Sequence, residues 1–334
     1  MDNIFKAKIR NLAVYFPETI LDNEFYVEHY KKKGISEEET LHMIHDTLGK
    51  ERRHVIKENS GENSLTMAIH AAKSVLKKSN LSGSDMDVVC MCSLTAEYSM
   101  PPSSTLLSKA INGKKESVCF DLNVNCTSMA FAYDTLVRYM SVNPAVNRIL
   151  LVASDYLTYL VNPDDMIFYS SFADCALAMI IERTEENVGL LSSKFTFYPP
   201  KDDLARGPGC GFSKLLTSKP EEIRYWMQNT SGDTSEIFSI IRSMIEDANL
   251  KLEDIKLFCF SQFAERFILH TRNEFHLDEE TLPYIGNKYG YTGSTSVFLV
   301  LHEAIKHGKI KHGDYVFVWT SGYGVQEIYL LFRY

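Results

Sequence analysis

Cysteine pairs at metal-binding spacing, a basic stretch and a long apolar run are all missing from this sequence. The seven cysteines (Cys90, Cys92, Cys119, Cys126, Cys175, Cys210 and Cys259) make an odd number, no CxxC pair occurs, and most of them sit inside apolar runs. That pattern argues against a disulfide framework and against a zinc site, and for reduced thiols with no bound metal. Cys90 and Cys92 alternate along an extended run and read as core packing on one face of a strand. Acidic residues outnumber basic ones, 43 to 35, for a net charge of −8, so nucleic acid is a poor partner. No apolar run is long enough to cross a bilayer, and the opening "MDNIFKAKIRNLAVYFPE" lacks the apolar core of a signal peptide. The expectation is a soluble cytoplasmic protein.

What is present is a repeat. "NLSGSDMDVVCMCSLT" from Asn80 and "NLKLEDIKLFCFSQF" from Asn249 both open Asn-Leu, both place Asp sixth, and both continue into an apolar run with Cys at the same position. The offset is 169 residues throughout. An amphipathic stretch precedes each copy, Leu65 to Leu76 and Ile237 to Ala248. Each copy is followed by a further helix and a nearly continuous apolar segment, "RILLVASDYL" from Arg148 and "YVFVWTSGYG" from Tyr315. Such segments fit strands covered by helices on both faces. The chain therefore reads as two similar α/β halves, with the boundary somewhere after Glu182. Phe195 to Asp233, rich in Pro, Gly, Lys and Ser, reads as a long loop or lid between them.

Within "DLNVNCTSMAFAYDTL" (residues 121–136), Cys126 stands where an extended run stops and a helical pattern begins. A helix N-terminus favours a thiolate, although a buried core cysteine fits the same position. Cys126, Ser261, Tyr291 and the Ser321–Gly324 turn all follow strand-like runs or open helices, which places them to converge on one site.

These residues also carry a resemblance. "GKERRHV" (49–55), "MPPSS" (100–104), "DLNVNCTSMAFA" (121–132), "SSFADCALAMIIE" (170–182) and "GKIKHGDYVFVWTSGYG" (308–324) resemble, in order, motifs of the β-ketoacyl-acyl-carrier-protein synthase III family of the thiolase superfamily. The resemblance implies a thiolase-like α/β fold, a duplicated five-layer α/β/α/β/α arrangement, with residues 1–190 as the half carrying the nucleophile and 191–334 as the loop region and second half. It implies a homodimer, or a heterodimer with a paralogue, and no cofactor. It also implies chemistry: Cys126 is acylated by a thioester, and the backbone amides of Cys126 and Tyr323 form the oxyanion hole. Asp174 matches the family's Asp, Met100, Met129 and Phe172 line the acyl pocket, and Arg266 lies on the carrier-docking helix.

Two departures qualify that chemistry. The family's His and Asn, which stabilise the enolate formed when a malonyl thioester loses CO₂, are here Ser261 and Tyr291. Serine offers neither the charge of imidazole nor a base near neutral pH, and tyrosine is bulkier than asparagine. The reading is an acyltransferase that keeps the acyl-cysteine step and gives up decarboxylative condensation. A condensing enzyme with a remodelled site and a non-catalytic partner subunit are the alternatives. Met43 and Tyr159 replace the usual adenine-clasping Trp and Arg, so an acyl carrier protein is favoured over coenzyme A as donor.

Overall fold

In the computed structural model, which describes residues 4–198, 205–227, 234–323 and 326–334, nine strands form one continuous sheet. They are β1 (Phe5–Tyr15), β2 (Val88–Cys92), β3 (Val118–Leu122), β4 (Arg148–Asp155), β5 (Cys175–Arg183), β6 (Gly189–Phe197), β7 (Ile255–Phe260), β8 (Tyr315–Gly322) and β9 (Gln326–Arg333). The order splits into two sets, β3-β2-β4-β5-β1 and β7-β8-β9-β6, joined only where Phe5 and Lys6 of β1 pair with Leu190 and Gly189 of β6. The pairing pattern repeats. β2 is parallel to β4, and β5 runs antiparallel to β4 and β1; β7 is parallel to β8, and β9 runs antiparallel to β8 and β6.

Strand composition builds the layers. In β2, Val88, Cys90 and Cys92 face the central core while Val89 and Met91 face an outer one, as the two-residue period of a strand requires. In β7, Leu257 and Cys259 face the central core while Phe258 and Phe260 face the other outer one. Helix α1 (Ser64–Ser79) and α2 (Ser103–Ala110) cover the first set of strands from outside. Helices α4 (Ser235–Asp247) and α5 (Glu265–Phe275) cover the second. Between the sheets lie α3 (Ser128–Val142) and α6 (Ser296–Lys306). This is the five-layer α/β/α/β/α arrangement of the thiolase-like fold.

The repeated letters have a local cause. Asn80 and Asn249 end α1 and α4 in the left-handed conformation, φ 54° and 55°, which Asn tolerates better than other residues with a β-carbon. The following leucines close each helix end, with Leu81 N donating to Leu76 O and Leu250 N to Ile245 O, both at 3.0 Å. Asp85 accepts from Ser82 N at 2.8 Å and Asp254 from Lys251 N at 2.7 Å, capping the single turn that leads into each strand. Each conserved letter of the repeat thus performs the same backbone task twice.

The segment read as a loop from Phe195 begins later. Phe195 and Phe197 still belong to β6, opposite Ile328 and Gln326 of β9. Farther on, Ala205–Arg206 pairs with Trp226–Met227 in a small ribbon, and Pro220–Ile223 forms one helical turn. Residues 199–204 and 228–233 of that segment, and Gly324 of the closing turn, lie outside the described residues.

Candidate active site

Cys126 owes its position to a two-residue elbow. Asn125 takes φ 53°, turning the chain from the end of β3 into α3. Three short bonds fix the turn: Val124 N donates to Ser128 Oγ at 2.7 Å, Ser128 Oγ to Asn125 O at 2.6 Å, and Thr127 Oγ1 to Val124 O at 2.6 Å. Asn125 Nδ2 donates to Tyr323 O at 2.6 Å, tying the elbow to the turn that follows β8 in the other half. Gly322 lies against the elbow, and a β-carbon there would stand 3.5 Å from Cys126 N.

Ser261 and Tyr291 arrive from the second half. Ser261 extends β7 by one bond, its N–H donating to Trp319 O at 3.0 Å, and it is buried. Tyr291 is held as a short extension beside Phe172, with Tyr291 N donating to Ser171 O at 2.7 Å and Ala173 N to Tyr291 O at 3.0 Å. The residue before it must be glycine: Gly290 has φ 71°, and a β-carbon would fall 2.7 Å from that of Ala173. Only 4% of Tyr291 is exposed, Cys126 packs against the cluster that holds it, and its hydroxyl interacts with the Cys126 thiol and the Ser261 hydroxyl, favouring the thiolate. Cysteine, tyrosine and serine, three positions singled out in the sequence, therefore meet through one phenol.

Asp174 supports this arrangement from behind. Its N–H donates to His54 O, and its carboxyl accepts from Ile56 N at 2.8 Å, Thr158 N at 3.0 Å and Thr158 Oγ1 at 2.6 Å. Burial pushes that carboxyl up to about 7, and the donors around it pull the other way. An asparagine there would turn an N–H₂ toward donors. Asp174→Asn is expected to lose about 1–3 kcal/mol, read as a lower urea midpoint at unchanged slope.

The remaining walls are apolar. Leu157, Val161, Phe168, Phe172 and Tyr225 form a cluster with Tyr291, against which Cys126, Phe263 and Tyr323 pack. Phe168 sits 5.5 Å from the Tyr323 ring, and Phe263 meets Tyr291 edge-on at 5.2 Å. This burial sets the chemistry of the thiol. It pushes Cys126 up to about 11, with the Asp155 carboxylate adding to the rise; the bond from Tyr291 holds it down in part. The helix N-terminus suggested a thiolate, but enclosure by aromatic rings outweighs it.

Alkylation of Cys126 by iodoacetamide is thus expected to rise roughly tenfold per pH unit from pH 7 to 9, without a plateau. Tyr291→Phe removes the hydroxyl that favours the thiolate and is expected to slow the reaction at pH 8 by about three- to tenfold. A plateau near neutral pH would contradict the first expectation, and an unchanged Tyr291→Phe rate the second.

Other predicted residues are placed differently. Phe172 lies in the apolar cluster, 6.1 Å from the Tyr291 ring. Met129 belongs to the core between the sheets. Met100 is 81% exposed, so within one chain it lines nothing. Arg266 is exposed on α5. Tyr323 contributes its carbonyl to Asn125 and its ring to the cluster.

Every histidine has other company. His29 meets Pro163 O, His42 and His45 meet Asp46, His54 meets Pro17 O, and His70 stacks on Tyr15. His270 meets Thr234, His276 caps α5, His302 and His307 meet Glu303, and His312 meets Glu186. Among the described residues no group of His, Cys, Asp and Glu is arranged to hold a metal.

Sequence reasoning missed Asp155 and Tyr225. Asp155 ends β4, buried, accepting from Ser294 Oγ and Leu94 N at 2.7 Å each; its place at the carboxyl end of a strand was the available signal. Tyr225 comes from the long segment between the halves and carried none.

A cysteine at a helix-opening elbow, facing residues from a second copy of the same half, can be compared with known proteins. The profile described as 3-Oxoacyl-[acyl-carrier-protein (ACP)] synthase III matches residues 120–198, and that of the C-terminal part of the same enzymes matches 245–334. The chain belongs to the 3-oxoacyl-acyl-carrier-protein synthase III family of the thiolase superfamily. Beta-ketoacyl-[acyl-carrier-protein] synthase III of Aquifex aeolicus is 26% identical over 98% of this chain and 99% of its own length. A crystal structure of 3-oxoacyl-[acyl-carrier-protein] synthase III from that organism superposes with TM-score 0.81 at 25% identity, covering 98% of this chain and all of the other. The Pseudomonas aeruginosa structure, at 18% identity and TM-score 0.84 over 98% of each chain, shares the fold. With this family, the chain is a transferase of acyl groups. Among the described residues no helix is long and apolar enough to cross a membrane.

Proposed function

We propose that this acyltransferase accepts an acyl group from an acyl carrier protein onto Cys126 and passes it to a non-malonyl acceptor, in fatty-acid-like or polyketide metabolism, without decarboxylation. The observation that carries the reading is the buried Tyr291 phenol, which shares the apolar cluster with Cys126, where family members use Asn and His. A phenol at that place donates one hydrogen bond but fills the space a malonyl carboxylate would need, and each histidine is engaged elsewhere. The elbow and glycine turn support an oxyanion hole made by Cys126 N and Tyr323 N. Such a hole serves acyl transfer to any acceptor, whereas an enolate needs the missing pair. Phe172 is assigned to the wall of the acyl channel, and exposed Arg266 to carrier docking.

A homodimer is part of this reading. β3 ends the sheet order, Val118 on it is exposed, and Asp121 accepts from Ser103 N and Ser104 N at 2.6 and 2.7 Å, binding the loop that displays Tyr98 and Met100 to this edge. Pairing of two such edges would cover both apolar side chains and is the way Met100 would reach a partner's pocket. We assign the dimer to the cytoplasm, with residues 1–190 and 191–334 as its two halves.

The test pairs two assays on one protein. Intact-mass measurement after incubation with acyl carrier thioesters is expected to show a single adduct, and malonyl carrier is expected to release no CO₂. Adduct with CO₂ release would favour the condensing alternative. No adduct with any donor, together with copurification of a second similar chain, would favour the partner-subunit alternative.

A further inference from the structure

Tyr225 stands out among the groups around Cys126 that acyl transfer leaves unused. It is 8% exposed, and its hydroxyl is buried without a hydrogen-bond partner among the described residues. The ring is not loosely held. Tyr225 N donates to Leu160 O at 2.7 Å, and the neighbouring Arg224 Nη1 donates to Val161 O at 2.8 Å. Gly207 abuts the ring on another side, where a β-carbon would lie 2.6 Å from two ring carbons. Leu157, Val161, Phe168, Phe172 and Tyr291 complete the packing around it. Such a fixed phenol cannot swing out to water, and buried polar groups are nearly always paired. Burial first, then the Asp155 and Asp174 carboxylates and the Cys126 sulfur, oppose its ionisation, so the hydroxyl remains a donor.

We infer that Tyr225 recognises an oxygen on the acyl chain itself, so that the preferred donor is a thioester of a hydroxylated or oxygen-substituted acyl group rather than a plain hydrocarbon one. This rests on the reading that Cys126 is acylated. Tyr225 shares one apolar cluster with Cys126 and Tyr291, so an acyl group held on Cys126 and extending among these side chains meets the Tyr225 hydroxyl. A hydrocarbon chain leaves the Tyr225 hydroxyl desolvated and unpaired; an oxygen on the chain at the matching carbon satisfies it. Discrimination of this kind, where the site loses a hydrogen bond with the wrong substrate, is stronger than discrimination by size.

The test compares octanoyl-pantetheine with its 3-, 5- and 7-hydroxy and 3-oxo analogues, following the Cys126 adduct by intact mass. At least one oxygenated donor is expected to react about tenfold or more faster than octanoyl, and Tyr225→Phe to reduce that ratio to within about twofold. Equal rates for octanoyl and all four analogues, or a ratio that survives in Tyr225→Phe, would overturn the inference. Calorimetric binding of the corresponding free acids to the Cys126→Ser protein supplies an independent arm. If no adduct forms at all, the transfer reading falls, and this arm alone decides Tyr225: preference for an oxygenated acid that is lost in Tyr225→Phe upholds it, and no preference refutes it.

Discussion

The Cys126→Ala protein is expected to fold normally and to take up no acyl group from any thioester that labels the parent chain. The folding half of this expectation follows from size. Cysteine to alanine removes one sulfur from a half-buried position, a loss of about 1 kcal/mol, and the elbow is held by Asn125, Thr127 and Ser128 rather than by the thiol. The chemical half follows from the surroundings. Covalent transfer needs a nucleophile, and nothing beside Cys126 replaces it: Ser261 has no base at hand, and the Tyr291 phenol is pushed far up by burial. Of the other cysteines, Cys90, Cys92, Cys175 and Cys259 are buried in the strands, and burial raises the thiols of the last three. Cys119 and Cys210 are partly exposed and are the places where adventitious acylation would show. Intact mass followed by peptide mapping separates the cases. A stoichiometric adduct that persists in Cys126→Ala would remove Cys126 from the chemistry.

The features legible in the sequence were those with a local cause. Asn80 and Asn249, Asp85 and Asp254 announce the repeat because each performs a backbone task that few residues can perform. The alternation of Val88, Cys90 and Cys92 with Val89 and Met91 announces a strand covered on both faces. Ser261 and Tyr291 stood out in the sequence as candidates because each follows a strand-like run or opens a helix, where open α/β sheets place their chemistry. The illegible features depend on residues far apart in the chain. The helix N-terminus at Cys126 points to a thiolate, but the thiol answers to rings from residues 168, 172, 225 and 291, which no spacing connects. Tyr225 lies in a stretch whose Pro and Gly content says only that it turns. Met129 falls at an apolar helical position, and periodicity alone does not distinguish a face toward the inter-sheet core from a face toward a pocket.

On the proposed reading, a His at 261 and an Asn at 291 should confer decarboxylation. The double variant Ser261→His, Tyr291→Asn is expected to release CO₂ from malonyl carrier at a rate at least about 10² above the parent, since a single well-aimed oxyanion donor is worth roughly 10²–10³ in rate. The two changes depend on each other for steric reasons. Ser261 and Tyr291 are both buried and their hydroxyls interact, so an imidazole at 261 collides with the phenol unless Tyr291 is shortened at the same time. Asparagine at 291 clears that volume, and its neighbours Gly290 and Thr292 leave the backbone where it is, held by Ser171 O and Ala173 N. Ser261→His alone is therefore expected to be destabilised and inert. Tyr291→Asn alone is expected to open the pocket without supplying a cation or a base, and to stay near the parent rate. Gain in the double variant exceeding the product of the single effects would tie control of decarboxylation to these two residues. Three inert variants that all still acylate Cys126 would mean that the site is closed to malonyl groups by something else, the first suspect being the wall of Phe168, Phe263 and Tyr323 above the thiol.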